Sequence, residues 1–301
     1  RAPYFHAREV LTTRSAQEQC SLIIAGHART AETQLLVDSG WAHDLVAGRD
    51  TTRTRMPRIH ASGDTDDALE RDRHARGSRL PSSAYQAIQA ALDRGAPALV
   101  QVPRKGYVPI LACRHCRIHA RCRHCNGPLG IPSGDGYATP SCGWCGRQDP
   151  NYRCNNCGGT GVRAVVLGHD RTAEEFGRAF PQTTIIVSGG NKIIDTIPAE
   201  PAIVIATPGA EPQVTDGSYG AAVLLDAWAL LNRQDLRATE ETLAKWAHAT
   251  SLVASHTHQG EVVVAADPGI PIVQNLIRWD MVSAARRELD ERRDVDFPPT
   301  V

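Results

Sequence analysis

The chain has 301 residues, of which 42% are hydrophobic, and its 33 Lys and Arg residues balance 33 Asp and Glu residues. This composition is enough for one large globular domain or a few smaller ones, and the zero net charge argues against a protein that coats nucleic acid with its whole surface. No apolar run of about 18 residues occurs, so no membrane span is expected. No secretory signal follows Arg1, and the lack of an initiator Met is expected of a piece of a longer chain.

The first eighty residues are predicted to contain two helices, a short strand and a connector with few apolar anchors. Residues 1–20 are predicted to be helical with a charged face, Ser21–Ile24 to form a short buried strand, and Thr30–Asp38 to form a second helix. Cys20, beside the apolar run, is predicted to be a buried thiol. Residues 47–80 are rich in Arg, Asp, Thr, Gly and Pro, and they are predicted to be a connector or exposed loop.

Helices and strands alternate from residue 81 onwards. Ser83–Arg94 is predicted to be an amphipathic helix that ends before Gly95, and Ala98–Val102 a buried strand followed by a turn. Beyond the cysteine-rich segment, the predicted strands are 164–167, 184–187, 202–206, 220–226 and 260–265, and the predicted helices are 172–180, 239–255, 272–280 and 281–293. This alternation predicts right-handed crossovers and a mostly parallel sheet, so the fold class is α/β with the cysteine segment inserted.

Eight of the nine cysteines form four C-x-x-C knuckles, which are Cys113/Cys116, Cys122/Cys125, Cys142/Cys145 and Cys154/Cys157. A C-x-x-C knuckle places two thiolates on one tight turn, and two knuckles complete a four-coordinate zinc shell. Eight thiolates therefore predict two closed structural sites with one Zn²⁺ each. Four disulfides are the alternative in a secreted chain, but the repeated spacing without a signal peptide favours zinc in a reducing compartment.

Four knuckles can pair in three ways. Gly and Pro turn signals fill the 16 residues between the second and third knuckles, which favours a zinc ribbon closed by those two. The ligands of this predicted site are Cys122, Cys125, Cys142 and Cys145. The first and fourth knuckles then form an outer site nested around it, with the ligands Cys113, Cys116, Cys154 and Cys157. Interleaved pairing is the alternative, and the rival ligands among the cysteines are His115, His119 and His124.

Short motifs surround the cysteines in a fixed order. They are His6–Val10 (H-A-R-E-V), Pro103–Tyr107 (P-R-K-G-Y), Arg237–Glu240 (R-A-T-E), Gln259–Val263 (Q-G-E-V-V), Glu291–Arg293 (E-R-R) and Phe297–Pro299 (F-P-P). Together with the cysteine spacing, they resemble the bacterial family of primosomal protein N′, the replication-restart factor PriA. The corresponding segments of that family read Y-H-A-R-D-V, N-R-R-G-Y, R-A-A-E, Q-G-E-V and E-R-R…P-P. The resemblance runs from Tyr4 to Pro299.

The resemblance implies the fold of a superfamily-2 DNA helicase, in which a nucleotide lies between two RecA-like lobes. It divides the chain into the end of lobe 1 (1–46), a connector (47–80), the start of lobe 2 (81–112), the zinc-binding module (113–157) and the remainder of lobe 2 (158–301). It also implies a DNA-binding domain and the first part of lobe 1 upstream, and a small domain downstream.

The motor motifs of the family are altered in this chain. Where the family reads Q-x-x-G-R-x-G-R, the chain reads H-A-T-S-L-V-A-S, so the two arginines that serve the γ-phosphate become Leu252 and Ser255. Ala25–Glu32 departs from the family's G-S-A-T-P-S-L-E, and Ala206–Pro212 departs from its G-T-Q-M-I-A-K-G. Neither G-x-x-x-x-G-K-[ST] nor D-E-x-H occurs, but both would lie upstream of Arg1, so the expectation depends on the three altered motifs within the chain. From these we expect no catalytic residues and no bound ATP in a helicase fold that has lost its ATPase.

Three further features are interpreted as structural. Gly158–Gly161 resembles a phosphate loop only superficially, and it is interpreted as the exit from the last knuckle. Asp226 ends a buried strand, where α/β folds place functional groups, but it equally suits a residue that caps the next turn. His256 and His258 lie in a loop without partner acids.

The resemblance implies a replication-restart protein that binds abandoned forks or D-loops and helps to assemble the primosome. The expected partners are forked or single-stranded DNA, other primosome proteins, single-stranded DNA-binding protein and the machinery that loads the replicative helicase. We expect a cytoplasmic, nucleoid-associated monomer that does not bind membranes. Arg104, Lys105 and Tyr107 form either a cationic and stacking tip for single-stranded DNA or an ordinary surface turn. An active ATP-dependent 3′–5′ helicase with divergent motifs and a zinc-ribbon module that contacts only protein are the alternatives.

Overall fold

A computed structural model describes residues 6–62, 80–103, 110–116, 118–131, 139–165, 169–233 and 235–300. Its helices are α1 (Ala7–Glu18), α2 (Ala31–Asp38), α3 (Arg49–Arg55), α4 (Ser82–Asp93), α5 (His169–Ala179), α6 (Ala227–Leu231), α7 (Ala238–Ser251), α8 (Pro271–Arg278) and α9 (Met281–Asp294). Its strands are β1 (Arg58–Ala61), β2 (Ala98–Gln101), β3 (Ile110–Cys113), β4 (Leu129–Gly130), β5 (Ser141–Cys142), β6 (Val162–Val165), β7 (Thr184–Ser188), β8 (Thr196–Ile197), β9 (Ala202–Ala206), β10 (Gln213–Val214), β11 (Ala221–Leu224) and β12 (Glu261–Val264).

A six-stranded parallel sheet with the strand order β1-β12-β11-β2-β9-β7 forms the centre of the fold. The inner strands β9 (A-I-V-I-A) and β11 (A-A-V-L) are buried at every position. Crossover helices cover both faces of a parallel sheet, and this is why its central strands are continuous apolar runs. The predicted α/β class with a mostly parallel sheet is confirmed.

The sheet separates two apolar core clusters, and helices pack on each face of it. Leu99 of β2 belongs to the cluster that contains Trp246 of α7 and Val273 of α8. Val100, the next residue, belongs to the cluster that contains Ile88 of α4 and Phe176 of α5. Successive residues of a strand face opposite sides of the sheet, so the apolar runs bind a helical layer on each face.

The cysteine segment follows β2 and forms a separate small sheet. Its strands are antiparallel and lie in the order β5-β4-β3-β6. Leu111, Leu129 and Tyr152 are buried with four of the cysteines in a core cluster of their own. The segment is therefore an insertion into the α/β domain, as predicted.

One strand predicted for the parallel sheet belongs to the small sheet instead. The alternation predicts a strand at 164–167, but Val162–Val165 pairs antiparallel with β3, and Val162 lies opposite Cys113. An apolar run does not specify which sheet it joins, and the ladder with β3 places this one in the cysteine segment. Residues 166–168 lie outside the described part of the chain.

Two predictions near the N-terminus are wrong. Ser21–Ile24 is irregular rather than a strand, and the Ile23 side chain is 87% exposed. Cys20 is exposed rather than buried. A short apolar run becomes a strand only where a partner accepts its backbone hydrogen bonds, and none of the described strands pairs with these residues.

Regular structure occupies part of the predicted connector. Residues 49–55 form α3, and Arg58–Ala61 is the edge strand β1, which pairs in parallel with β12. An edge strand is paired on one side only, so it tolerates a polar sequence such as R-I-H-A. Residues 63–79 lie outside the described part, and the division of the chain into two lobes stays a prediction.

The N-terminal segment packs on the C-terminal helix of the described chain, where α2 contacts α9. The Thr30 hydroxyl caps α2 by accepting the backbone N–H of Thr33. Among the described residues, none of the helices combines the length and the apolar character that a bilayer crossing requires.

Candidate metal centres

Turns that follow short strands position the cysteines. Cys113 ends β3 and Cys142 ends β5, and a turn follows each of them. The structure brings the eight side chains together in two groups, Cys113 with Cys116, Cys154 and Cys157, and Cys122 with Cys125, Cys142 and Cys145. This grouping is the nested one, and interleaved groups do not form among the described cysteines.

The separations of the sulfur atoms fit tetrahedral coordination. The Sγ···Sγ distances across the groups are 3.5 Å for Cys113–Cys157, 3.5 Å for Cys116–Cys154, 3.8 Å for Cys122–Cys145 and 3.4 Å for Cys125–Cys142. Four sulfurs at Zn–S distances of about 2.3 Å lie about 3.8 Å apart in a tetrahedron. Each group therefore has the size and the soft donors that one zinc ion requires.

Backbone N–H groups stabilise the thiolate form of the first cysteine in three knuckles. The N–H of Cys125 is the main cause that lowers the pKa of Cys122 to about 7. The N–H of Cys157 is the main cause that lowers the pKa of Cys154 to about 6. The pKa of Cys113 is lowered in the same way, chiefly by the N–H of Cys116. Thiolates are the form that binds metal, so the knuckle backbone prepares these ligands.

The three histidines of the segment are not among the metal-binding groups. His115 and His124 are exposed. The ring of His119 packs against the Trp228 indole, with 4.6 Å between ring centroids. Burial, and then repulsion by Arg121, lower the pKa of His119 to about 4, so this side chain is neutral at pH 7.

A polar contact holds the inner four-cysteine group against α6 and the turn that follows it. Arg121 Nη1 donates to Asn232 Oδ1 at 3.2 Å. Trp144 Nε1 donates to the backbone carbonyl oxygen of the same Asn232 at 3.3 Å. Because Trp144 lies between Cys142 and Cys145, the docking contact is part of a knuckle.

The predicted DNA-contacting residues Arg104, Lys105 and Tyr107 lie outside the described part of the chain. Arg123 is an arginine of the module that the structure does describe. Arg123 Nε donates to Asp149 Oδ2 at 3.3 Å, and the same guanidinium donates to the Asn151 carbonyl oxygen at 2.9 Å.

Leu252 and Ser255 carry no charge, and they lie near the amino ends of β11 and β12. Leu252 follows α7 and packs against the core. The Ser255 hydroxyl lies 2.6 Å from the Thr257 hydroxyl and 3.0 Å from His258 Nδ1.

Asp226 and His256, which the sequence analysis considered, are also part of the described structure. Asp226 is buried after β11 and has a left-handed backbone with φ of 55°. His256 lies in a 3₁₀ turn, where its Nδ1 is 3.3 Å from the Met56 carbonyl oxygen.

A buried carboxylate at the carboxyl edge of the sheet was missed by sequence reasoning. Glu211 accepts hydrogen bonds from the Gln101 amide at 2.7 Å and from the Gly209 N–H at 2.8 Å, and its side chain is buried. His248 Nε2 lies 3.9 Å from Glu211, and His248 Nδ1 lies 3.1 Å from His27 Nε2. The available signal was an acidic residue shortly after a buried parallel strand. Glu211 places a carboxylate at the carboxyl edge of the sheet, where α/β proteins commonly bind ligands.

A buried ion cluster joins three of the motifs quoted above. Arg292 of α9 is 2% exposed and pairs with Glu32, Glu240 and Glu288. Glu32 also pairs with Arg237. Burial opposes ionisation of Glu32, but hydrogen bonds and neighbouring arginines, Arg237 first among them, lower the pKa of Glu32 to about 2. These motif residues therefore hold α2, α7 and α9 together.

The chain is similar to several known proteins over its whole length. No family model matches the chain. The chain is 55% identical over 303 residues to the "Probable replication restart protein PriA" of Mycobacterium tuberculosis, a match that covers all of this chain and 46% of that protein. It is 54% identical to the protein of the same name from Mycobacterium leprae, with the same coverage. It is 20% identical over 310 residues to the "Replication restart protein PriA" of Bacillus subtilis, which covers 99% of this chain and 38% of that protein. The chain thus spans about half the length of the mycobacterial relatives.

Proposed function

Because the chain is a PriA-like protein over its whole length, we propose that it acts in replication restart as a platform without ATPase activity. It binds DNA of stalled or abandoned forks, or D-loops, and helps to assemble the primosome there. The observation that carries this proposal is the identity of 55% over the whole of this chain, a match that spans the segment with both four-cysteine groups. The division into two helicase lobes is part of the same proposal.

Two structural zinc ions would hold the module that contacts DNA or partner proteins. Cys113, Cys116, Cys154 and Cys157 would bind one ion, and Cys122, Cys125, Cys142 and Cys145 the other. Zinc would cross-link a segment whose own core is small, because the cysteines themselves form half of its buried cluster. With four protein ligands each, these sites leave no position for a substrate.

The lack of ATPase activity is supported by the two residues that stand where the family has its γ-phosphate arginines. Leu252 and Ser255 supply none of the positive charge that phosphoryl transfer requires. A triphosphate would meet no neutralising charge at these two positions.

The expected partners follow from the restart role. They are forked or single-stranded DNA, other primosome proteins, single-stranded DNA-binding protein and the machinery that loads the replicative helicase. A monomer at the nucleoid in the cytoplasm suits this role. Arg104, Lys105 and Tyr107 are the proposed DNA tip, because cationic and aromatic side chains together bind single strands.

A fluorescence anisotropy titration of this chain with a labelled fork and with duplex DNA of matched length tests the proposal. We expect tighter binding to the fork, weaker binding by Arg104→Ala/Lys105→Ala, and unchanged binding by the control Arg53→Ala/Arg55→Ala, which removes two exposed arginines from α3. Equal affinity for fork and duplex would contradict fork recognition. If neither the substitutions of Arg104 and Lys105 nor zinc removal changes the affinity for fork DNA, the result would favour a module that contacts only protein.

An ATPase assay with and without fork DNA separates the platform from an active helicase. We expect no hydrolysis above the background of buffer and DNA. Hydrolysis stimulated by DNA would overturn the platform and support a helicase with divergent motifs.

A further inference from the structure

An open groove lies beside the outer four-cysteine group. It is lined by Arg114, His115, Cys157 and Gly158–Gly161. The glycine-rich part is the segment interpreted above as a knuckle exit. Arg114, His115 and Thr160 are exposed along it, so their donors are accessible from solvent.

Two glycines in the wall of this groove lie in contact with the cysteines and with Arg114. A Cβ on Gly159 would lie 3.4 Å from Cys157 Sγ and 3.5 Å from Cys113 Sγ. A Cβ on Gly161 would lie 3.3 Å from the Cβ of Arg114. The backbone therefore runs beside the sulfur atoms at ordinary contact distance, and it approaches Arg114 more tightly at Gly161.

The backbone of this segment uses its acceptors internally and leaves donors free. The Gly159 carbonyl oxygen accepts from Cys154 N–H at 2.9 Å, and the Gly161 carbonyl oxygen accepts from Arg114 N–H at 2.8 Å. The backbone N–H groups of Thr160 and Gly161 donate to no atom of the described residues. A row of free N–H groups in a turn forms a concavity suited to anions.

Arg114 differs from the paired arginine of the same module. Arg123 is held by Asp149. Arg114 forms no ion pair with a carboxylate in the described part of the chain, and the residues that line the groove include no acidic side chain. A four-cysteine zinc site carries about two negative charges, so Arg114 either serves only as a counter-charge or also binds an external anion.

We propose that this groove binds a phosphodiester group of a nucleic-acid backbone. The guanidinium of Arg114 supplies charge and paired donors, and the Thr160 hydroxyl and the free N–H groups of Thr160 and Gly161 supply further donors. The inference rests on the proposed DNA-binding function and adds a contact site to it. None of these donors reads a base, so the site contributes affinity and orientation rather than sequence preference.

The open shape of the groove favours a polymer over a free phosphate or a nucleotide. One guanidinium and a few solvent-exposed donors hold a single phosphate weakly, because water competes for each of them. A phosphate within a DNA strand is brought to the groove by its neighbours, so the same contact contributes at a high effective concentration.

Salt-dependent DNA binding by the zinc-loaded chain tests the site. Anisotropy titrations with a labelled fork and with an oligo-dT strand are run over a series of salt concentrations for Arg114→Gln and for its matched control Arg123→Gln. We expect Arg114→Gln to weaken binding about three- to tenfold and to lower the log–log salt slope by about 0.7 to 0.9, the contribution of one phosphate contact. Arg123→Gln should change neither value. Arg114→Lys, which keeps the charge, should restore the slope.

NMR spectra of the chain labelled with ¹⁵N-glycine locate the contact independently. On addition of oligo-dT, the amide signals of Gly158, Gly159 and Gly161 should shift, and Arg114→Gln should abolish the shifts. Inorganic phosphate is titrated in parallel. Shifts with phosphate at least as large as those with oligo-dT would overturn the nucleic-acid assignment and leave a site for free phosphate.

The outcomes separate this inference from the proposed function. DNA binding that Arg114→Gln and Arg123→Gln weaken equally would overturn the groove as a site and leave fork binding intact. Loss of bound zinc in Arg114→Gln, measured as metal per chain, together with unshifted glycine signals in the native chain, would show that Arg114 is only a counter-charge. Absence of any DNA binding would contradict the proposed function itself.

Discussion

The indole N–H of Trp144 donates a hydrogen bond of 3.3 Å to the backbone carbonyl oxygen of Asn232, a residue 88 positions further along the chain. Trp144 stands between two cysteines of the inner group, and Asn232 follows α6 in the α/β domain. The side chain of Asn232 accepts from Arg121 as well. Asn232 of the α/β domain thus accepts two hydrogen bonds from the zinc-binding module. These two contacts dock the module on the domain.

Trp144→Phe should weaken this docking without releasing zinc. The substitution keeps an aromatic ring and removes the donor, so we expect the free energy of unfolding in urea to fall by about 1 kcal/mol. Trp41→Phe is the matched control, because Trp41 has a similar exposure of 42% against 45%, and its indole donates to no atom in the described ranges. Equal losses for the two variants would contradict a docking role for the Trp144 hydrogen bond.

Zinc removal should unfold the cysteine segment and leave the parallel sheet intact. The core clusters of the sheet contain no residue of 110–165, and the segment has a cluster of its own. After treatment with a strong chelator, hydrogen exchange should rise across 110–165, because the cross-linked thiolates are lost. Exchange should stay slow in β9, β11 and β12. Fast exchange in those strands as well would show that the two parts fold as one unit.

Arg292→Met should destabilise the chain far more than the same change at the next residue. Arg292 is 2% exposed among Glu32, Glu240 and Glu288, and its removal takes away the cation that pairs with Glu240 and Glu288, while Glu32 keeps Arg237. We expect a loss of about 3–5 kcal/mol in a urea titration. Arg293→Met removes an exposed pair with Asp290 and should change stability by less than about 1 kcal/mol. Similar effects of the two substitutions would mean that the ion cluster is not stabilising.

Acidification should destabilise the chain partly through His119. Its pKa is lowered from 6.5 to about 4 in the folded state, so below pH 6.5 the unfolded chain binds a proton that the folded chain does not. Stability attributable to this group is therefore complete above pH 6.5 and falls as the pH drops, by about 1 kcal/mol at pH 5.5.

Urea titrations between pH 7.5 and 5.5 measure this contribution. His119→Phe keeps a ring against Trp228 and should reduce the pH dependence by that amount. His124→Phe, which replaces an exposed histidine of the same module, should leave it unchanged. An unaltered pH dependence in His119→Phe would mean that other groups cause the acid sensitivity.

Much of the sheet could be predicted because its strands are themselves buried apolar runs. Ala202–Ala206 is the clearest case, since a fully buried parallel strand has apolar residues at every position. Arg58–Ala61 could not be predicted, because an edge strand with polar residues has no such pattern, and its position depends on pairing with β12. Ser21–Ile24 is the opposite case, an apolar run that finds no partner strand among the described residues.

The ligands of the candidate metal sites could be predicted for a local reason, while the docking of the module could not. A C-x-x-C turn creates a pair of thiolates by itself, and the turn-rich spacing between Cys125 and Cys142 indicated which knuckles meet. The contacts of Asn232 with Arg121 and Trp144 join residues about a hundred positions apart, and no periodicity in the sequence marks them.

The sequence alone therefore determined the α/β class, the nested cysteine groups and the resemblance to replication-restart proteins, since each depends on short patterns that repeat or stand at fixed spacing. The tertiary structure decided which motif residues share a function in stability. Glu32, Arg237, Glu240 and Arg292 are distant in the chain, and they are neighbours only because α2, α7 and α9 pack together. The groove beside Arg114 is of the same kind, because it forms only after the chain has folded around Cys113 and Cys157, and only then can donors without a partner among the described residues be recognised.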